Sequence, residues 1–413
     1  MSDPELDVLA RYQAALLAAL ADARDPAEVA RTLLARKEFA ALHAYIGAFE
    51  PRAVEVGMAL VHQWGEREIA VKKGKMRAPT FVAANAPFEH RVVPIPSPGP
   101  GEVRLRVHAS GICGTDVHMW RGDFRVPTPL VPGHEPVGVI DAVGAGVTGF
   151  RKGDRVGVSW VQAGCGRCAQ CERQRPKYCV APRTWIHSGG GHAQWMVADA
   201  RGCTRVPDGL SLEHAAPLFC AGFTVMSGYR RARPRPGERV AVLGLGGLGH
   251  LALQIAKAHG HEVIAITSNE SKRREALALG ADEVLAVREH AGRELAAMGG
   301  ADIVLGTSSD LAQTSEVLFG LRPEGRLVAM ALPARHGARV LSVDPELALT
   351  RQLTVVGAMQ DERADLVDLL ELAARGAVVP RLELFPIGQL GRAMQRLADQ
   401  RVRYRAVLVH DVG

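Results

Sequence analysis

A glycine-rich turn in the second half of the chain limits its fold most strongly. Residues 240–250 read VAVLGLGGLGH, so the pattern G-x-G-x-x-G directly follows an apolar strand and precedes a segment with helical periodicity. Such glycines permit a tight turn in which backbone N–H groups reach a pyrophosphate at the start of a helix. Alternating strand and helix patterns continue to about Met330, which predicts a parallel sheet of βαβ units. The expected dinucleotide contacts are Gly244, Gly246, Gly247, Leu248 and Gly249.

The end of the second predicted strand indicates which dinucleotide is bound. Thr267 and Ser268 stand where Asp or Glu would bind the ribose hydroxyls of NAD, and Lys272 and Arg273 follow. Hydroxyl and cationic groups bind a 2′-phosphate, whereas a carboxylate repels it. The sequence therefore favours NADP(H), and NAD(H) is the alternative if the two cations are only exposed residues of a helix.

Four cysteines lie close together in a poorly apolar stretch. They are Cys165, Cys168, Cys171 and Cys179. Four thiolates complete the tetrahedral shell of a zinc ion, and a closed shell of this kind is structural. We therefore predict a structural zinc site here.

A second set of candidate ligands is dispersed over three segments, GICGTDVH (111–118), PGHE (132–135) and APLFCAG (216–222). Two thiolates and one imidazole form an open zinc site, whose fourth position is left for water or substrate. Taken singly, Cys113 and Cys220 could be buried small apolar residues, and His134 a loop histidine. Spacing alone does not identify such a site.

Together, these segments resemble the zinc-containing alcohol dehydrogenases of the medium-chain dehydrogenase/reductase family. Nearly all of residues 76–413 follows the pattern, and the segments ITSNESKRREAL and VRYRAVL are most similar to the cinnamyl alcohol dehydrogenase branch. The resemblance implies an α/β protein with a GroES-like, β-rich catalytic domain and a Rossmann domain with a doubly wound parallel sheet. The implied bounds are 76–221, completed by 357–413, for the first and 222–356 for the second.

The resemblance also implies roles for individual residues. It assigns the catalytic zinc to Cys113, His134 and Cys220, with Glu135 beside it and Asp116 orienting the imidazole of His134. It further implies a proton relay from Thr115 to His118, substrate-pocket walls at Trp120 and Trp160, and a cofactor-contacting arginine at position 404. Position 404 is in fact Tyr404, and the arginines of that segment are Arg403 and Arg405. Either tryptophan could instead belong to the core.

Residues 1–75 match nothing in the family. They are rich in Ala and Leu at helical spacing, which predicts a helical N-terminal extension. Their role is open between assembly, docking and a packed cap.

Composition limits the partners. The 413 residues carry a scattered net charge of +6, which gives no support for nucleic-acid binding. The acidic start of the chain and the shortness of its apolar runs predict neither a secretory signal nor a membrane span, so we expect a cytoplasmic protein. The family resemblance implies a homodimer or homotetramer.

The predicted function is hydride transfer between NADP(H) or NAD(H) and a primary, apolar or aromatic alcohol or aldehyde, with two zinc ions per chain. One alternative is a medium-chain dehydrogenase for secondary alcohols or polyols, although polyol-type relatives tend to replace the cysteine at position 220 by Glu. A second alternative is a zinc- and NADPH-binding sensor or scaffold without catalysis. The combination of an open zinc site and a proton relay disfavours that alternative.

Overall fold

The computed structural model describes residues 74–333 and 339–410. The predicted helical extension therefore lies almost entirely outside the described residues. None of the helices in the described ranges has the length and apolar character needed to cross a bilayer.

The described chain contains seventeen strands and twelve α-helices. The strands are β1 (Lys75–Thr80), β2 (Glu89–Pro94), β3 (Glu102–Ile112), β4 (Glu135–Val143), β5 (Arg155–Val158), β6 (Val161–Ala163), β7 (Arg183–Thr184), β8 (Trp195–Asp199), β9 (Cys203–Arg205), β10 (Arg239–Leu243), β11 (Glu262–Thr267), β12 (Glu283–Ala286), β13 (Ala301–Gly306), β14 (Leu321–Ala329), β15 (Thr354–Gly357), β16 (Leu382–Pro386) and β17 (Arg405–Val409). The helices are α1 (Gly114–Arg121), α2 (Ala169–Glu172), α3 (Trp185–Ser188), α4 (Leu212–Ala215), α5 (Ala221–Arg231), α6 (Gly249–Ala258), α7 (Arg273–Ala278), α8 (Ala291–Ala297), α9 (Leu311–Glu316), α10 (Pro345–Arg351), α11 (Arg363–Ala374) and α12 (Leu390–Ala398).

Six parallel strands form one sheet in the order β12-β11-β10-β13-β14-β15. Numbered along the chain, this is the 3-2-1-4-5-6 order of a Rossmann fold, and its switch point lies beside β10. Every residue of β10 is buried, as expected for a central parallel strand covered on both faces. The glycine-rich turn directly follows β10, so it lies where such sheets bind their ligands.

A second, mainly antiparallel sheet contains β16-β17-β3-β4-β5-β9, with β8 also paired to β3. Strand β17 pairs with β3 so that Ala406 faces Ile112, which returns the C-terminal segment to the β-rich part of the chain. The predicted α/β fold class is confirmed by this combination of sheets. The exact domain bounds stay predictions.

Candidate functional site

Cys113 is held at the point where strand β3 ends and helix α1 begins. It is the N-cap residue of α1, and its backbone N–H donates to Asp116 Oδ2 at 2.8 Å. The carboxylate thereby satisfies one of the free donors at the start of the helix. The neighbouring Cys220 thiol and the His134 imidazole hold the pKa of the Cys113 thiol well below its usual range. This site therefore favours the thiolate, the form that binds metals.

His134 lies immediately before strand β4, and Gly133 before it has φ +107°, a conformation that favours glycine. Its Nδ1 lies 3.0 Å from Asp116 Oδ1, so the buried carboxylate that caps α1 also contacts the imidazole that it is expected to orient. Its Nε2 is buried and has no hydrogen-bond partner among the described residues. Leaving a buried polar atom without a partner costs free energy. The unpaired lone pair of this nitrogen is therefore consistent with a role in binding a metal ion.

Cys220 completes the set from a different part of the chain, since it lies between a 3-10 turn (Ala216–Phe219) and helix α5. The Sγ atoms of Cys113 and Cys220 are 3.9 Å apart. Zn–S bonds of about 2.3 Å in a tetrahedron place two sulfurs about 3.8 Å apart. Ligand atoms of these cysteines, His134 and Glu135 all lie within 4.8 Å of one another. Donor types, spacing and the unpaired imidazole nitrogen therefore fit a zinc ion.

Glu135 lies beside this set and is fully buried. Its Oε1 is 4.0 Å from His134 Nε2 and accepts a hydrogen bond from the guanidinium of Arg405. Burial raises the pKa of the Glu135 carboxyl to about 7, against the opposing effect of Arg405. A Cβ at Gly111 would lie 1.9 Å from Glu135 Oε2, so the glycine leaves the room that this carboxylate occupies.

The two predicted relay residues lie on helix α1. The Thr115 hydroxyl is 3.7 Å from Cys113 Sγ, which places it next to the candidate zinc ligands. His118 is three residues along the same helix, half-buried, and its Nδ1 lies 2.7 Å from Asp123 Oδ2. Asp123 was not singled out by sequence reasoning, because it follows the helix without a recognisable motif.

The glycine-rich turn has the geometry that the pattern predicts. Gly244 has φ +90°, and a Cβ at Gly249 would lie 1.9 Å from the carbonyl oxygen of Gly244. Only glycine permits both the turn and this close approach of strand and helix. Gly246 has open space at the Cβ position, and Gly247 lies against the backbone of Tyr404 and the side chain of Arg405. Leu248 is the N-cap residue of α6.

At the end of β11, the four residues predicted to contact the cofactor ribose have different environments. Thr267 is buried and accepts the backbone N–H of Asn269 at 3.2 Å, whereas Ser268 is exposed. Lys272 Nζ donates to the carbonyl of Leu245 at 2.7 Å, which holds the ammonium against the glycine-rich turn. Arg273 instead pairs with Glu270 and donates to the carbonyl of Val284. The side chain of Ser268 is therefore exposed and the ammonium of Lys272 faces the glycine-rich turn. The guanidinium of Arg273 already forms an ion pair and a hydrogen bond within the protein.

The expectation of a cofactor-contacting arginine at position 404 is wrong, because the residue there is Tyr404. Tyr404 stacks on His250 at a ring-centroid distance of 4.7 Å. Arg405 is the residue that connects the two halves of the site, because it contacts Glu135 and lies against Gly247. Arg403 pairs with Glu275 on the exposed side. Sequence reasoning missed the contact between Arg405 and Glu135 because 270 residues separate them.

Aromatic rings surround the imidazole of His134. The ring centroid of Trp160 lies 5.0 Å from it in an edge-to-face arrangement. Trp160 also lines a cavity of about 520 Å³ on the side of the four-cysteine lobe, where Cys171 is part of the lining. Trp185, which sequence reasoning missed, is 6.2 Å away, and its buried Nε1 finds no hydrogen-bond partner within residues 74–333 and 339–410. Trp120 donates to the carbonyl of Ala86 and packs against an apolar cluster, and it does not line that cavity.

The four clustered cysteines also converge. Their sulfurs all lie within 4.8 Å of one another, and those of Cys168 and Cys179 are 3.8 Å apart. Backbone N–H groups of Cys165 and Ala181 donate to Cys179 Sγ at 3.2 and 3.3 Å. Backbone N–H groups also lower the pKa of the Cys168 thiol to about 6. The lobe thus fits the closed four-sulfur zinc site that was predicted.

The fold and these two groups of ligands define the class of a medium-chain dehydrogenase, an oxidoreductase. Residues 99–208 match the family described as alcohol dehydrogenase GroES-like domain, and residues 247–375 match the family described as zinc-binding dehydrogenase. The chain belongs to the zinc-containing medium-chain alcohol dehydrogenase family.

Several known proteins are similar over most of the chain. An alcohol dehydrogenase of Geobacillus stearothermophilus is 33% identical over 341 residues, which cover 81% of this chain and 100% of the relative. An NADP-dependent alcohol dehydrogenase of Mycolicibacterium smegmatis is 34% identical, covering 79% of this chain and 95% of the relative. A cinnamyl alcohol dehydrogenase structure from Sorghum bicolor is 32% identical with a TM-score of 0.73, covering 81% of this chain and 98% of the other.

Proposed function

We propose that this protein is a zinc-dependent alcohol dehydrogenase that transfers hydride between NADP(H) and a primary, apolar or aromatic alcohol or aldehyde. The observation that supports this most is the convergence of Cys113, His134 and Cys220 around an unpaired buried imidazole nitrogen. Relatives named alcohol dehydrogenase, NADP-dependent alcohol dehydrogenase and cinnamyl alcohol dehydrogenase support the same reaction.

In this proposal, Cys113, His134 and Cys220 would hold a catalytic zinc, and the lobe cysteines would hold a second, structural zinc. When bound, the catalytic zinc supplies Lewis acidity that polarises the oxygen of the alcohol or aldehyde. The nicotinamide supplies the hydride donor or acceptor. Asp116 keeps the His134 imidazole in one tautomer and orientation. Arg405 binds the Glu135 carboxylate and holds it beside the three ligands.

The proton follows the side chains of helix α1 in this proposal. The Thr115 hydroxyl, next to Cys113, hydrogen-bonds the reacting oxygen and exchanges its proton. Further along the helix, the half-buried His118 exchanges protons with solvent, and its contact with Asp123 fixes the ring. Trp160 provides an apolar wall beside His134, which favours aromatic substrates.

The direct test measures NADPH oxidation by the zinc-loaded protein with cinnamaldehyde, benzaldehyde and acetophenone. We expect turnover with both aldehydes and at least about 10-fold lower kcat/KM with the ketone, a difference of about 1.4 kcal/mol in transition-state binding. A preference for the ketone would favour the secondary-alcohol alternative. No turnover with any carbonyl compound, with zinc fully bound, would favour the non-catalytic sensor.

Cofactor preference gives a separate prediction. The Lys272→Ala variant should lose about 10- to 100-fold in kcat/KM for NADPH and little for NADH, because a charge-assisted hydrogen bond contributes roughly 1.5–3 kcal/mol. The matched control is Arg274→Ala, which removes an exposed cation from helix α7, of which Lys272 is the N-cap residue. Steady-state kinetics with both cofactors measure the effect. A wild-type preference for NADH would contradict the assignment of Ser268 and Lys272.

For assembly, we propose a homodimer formed through strand β15. Within the described residues, β15 pairs with β14 on one side and has no strand on its other side. Three of its four residues are exposed, among them Val355, and Leu349 in the preceding helix is 79% exposed. Unpaired strand edges with apolar side chains favour pairing with another chain.

We therefore expect sedimentation to give twice the chain mass, and Val355→Lys to give the monomer. A wild-type monomer at micromolar concentration would contradict the proposed assembly.

A further inference from the structure

We propose that His192 is a positioning residue for the metal ligand His134. The proposal rests on the metal site proposed above. His192 belongs to the segment 189–192 that precedes strand β8, and its side chain is fully buried. The mechanism uses no group of this residue, although it lies against the loop that carries the ligand.

The backbone of this segment forms a clamp on the loop 131–134. Gly190 N donates to Val131 O at 2.9 Å, His192 N to Pro132 O at 2.8 Å, and Gly191 N to Gly133 O at 2.8 Å. Three consecutive donors therefore bind the three residues that precede His134. A Cβ at Gly190 would lie 2.2 Å from the carbonyl oxygen of Pro132, and one at Gly191 would lie 2.3 Å from the Cβ of Pro136 at the start of β4, so the two glycines permit the close approach.

The imidazole of His192 packs against the loop 131–134 at Gly133. A Cβ at Gly133 would lie 2.5 Å from His192 Nδ1, so the ring packs directly on the backbone of Gly133. Gly133 is the residue with positive φ immediately before His134. A shift of this ring would therefore move the backbone from which the ligand projects.

A hydrogen bond fixes the ring itself. His192 Nδ1 lies 2.9 Å from the hydroxyl of Ser110, which is also fully buried. Ser110 is on strand β3, next to Gly111, where the carboxylate of Glu135 is packed. The side chain of His192 thus connects the loop before His134 to the strand that supports Glu135. Asp116 sets the rotation of the His134 ring, whereas His192 sets the position of its backbone.

The test replaces zinc by cobalt(II) in the full-length protein and compares wild type with His192→Phe. Phenylalanine keeps the ring but removes the bond to Ser110. We expect an altered visible ligand-field spectrum, faster loss of metal to a chelator, and a kcat lower by about 10- to 100-fold, as for other residues that support metal ligands. KM for NADPH should change less than twofold, because the nucleotide contacts lie elsewhere.

A matched control distinguishes positioning from general stability. His261 is a buried histidine directly before strand β11 of the Rossmann sheet, and it contacts Tyr229 and the carbonyl of Glu238. His261→Phe should lower Tm comparably and leave the cobalt spectrum unchanged. If His192→Phe does not fold, Ser110→Ala removes the same hydrogen bond, and we expect the spectral change in that variant.

Amide hydrogen exchange of the metal-free protein separates this proposal from the proposed function. Segment 131–136 should exchange faster in either variant than in wild type, whether or not the protein turns over any alcohol. An unchanged cobalt spectrum together with unchanged exchange in that segment would overturn the role of His192. Absence of activity and metal in the wild type would instead overturn the proposed function.

Discussion

The Cys113→Ser variant should lose at least about 1,000-fold in kcat while keeping its fold. The substitution removes one of three predicted ligands, and Lewis-acid polarisation contributes several kcal/mol, of which about 4 corresponds to this factor. Asp116 continues to cap helix α1 because it binds the backbone N–H of residue 113, which serine retains. Steady-state kinetics, far-UV circular dichroism and Tm give the comparison.

Cys203→Ser is the matched control for that variant. Cys203 is a fully buried cysteine of strand β9 in the same β-rich sheet, and it belongs to neither sulfur cluster. Its replacement should lower Tm without lowering kcat more than about twofold. Retention of wild-type kcat by Cys113→Ser would contradict the assignment of this ligand.

The Cys168→Ser variant should show the opposite pattern, with a large loss of stability. Structural zinc contributes binding free energy directly to folding. Serine at 168 removes one of four converging sulfurs, and a loss of about 3 kcal/mol lowers Tm by roughly 6–12 °C in a domain of this size. Differential scanning calorimetry with and without added zinc measures this shift.

The division into two sites requires different outcomes for the two cysteine variants. The fraction of Cys168→Ser protein that remains folded should keep substantial turnover, since the catalytic ligands lie elsewhere in the chain. Equal losses of folding in Cys113→Ser and Cys168→Ser would contradict the division.

The parts of the fold that depend on local pattern could be predicted from the sequence. The apolar strand before the glycine-rich turn and the helices that alternate with strands predicted the Rossmann sheet, because each βαβ unit is continuous in the chain. The four-cysteine lobe was predictable for the same reason, since its ligands span fifteen residues. Family resemblance implied that residues 357–413 complete the β-rich domain, but the pairing of β17 with β3 could not be predicted, because no local signal specifies which strands pair over such a distance.

Within the candidate site, the ligand identities and the places of Asp116 and Glu135 followed from resemblance, but the contacts of Arg405 and Trp185 did not. Arg405 contacts Glu135, which lies 270 residues earlier in the chain. The segment around Trp185 contains no motif that predicts its position near His134. The helix-cap contact of Asp116, by contrast, lies within three residues of Cys113 and is a local feature. Contacts between residues that are distant in the chain form only when the sheets fold, so the spacing of residues in the sequence does not predict them.

The quantity of divalent metal in the purified, active protein tests the central claim most directly. Elemental analysis should find two zinc ions per chain, and removing the metal held by Cys113, His134 and Cys220 should abolish turnover, which added zinc restores. Active protein that contains no divalent metal, or that keeps full turnover after chelation, would contradict the claim that Cys113, His134 and Cys220 form a catalytic metal site.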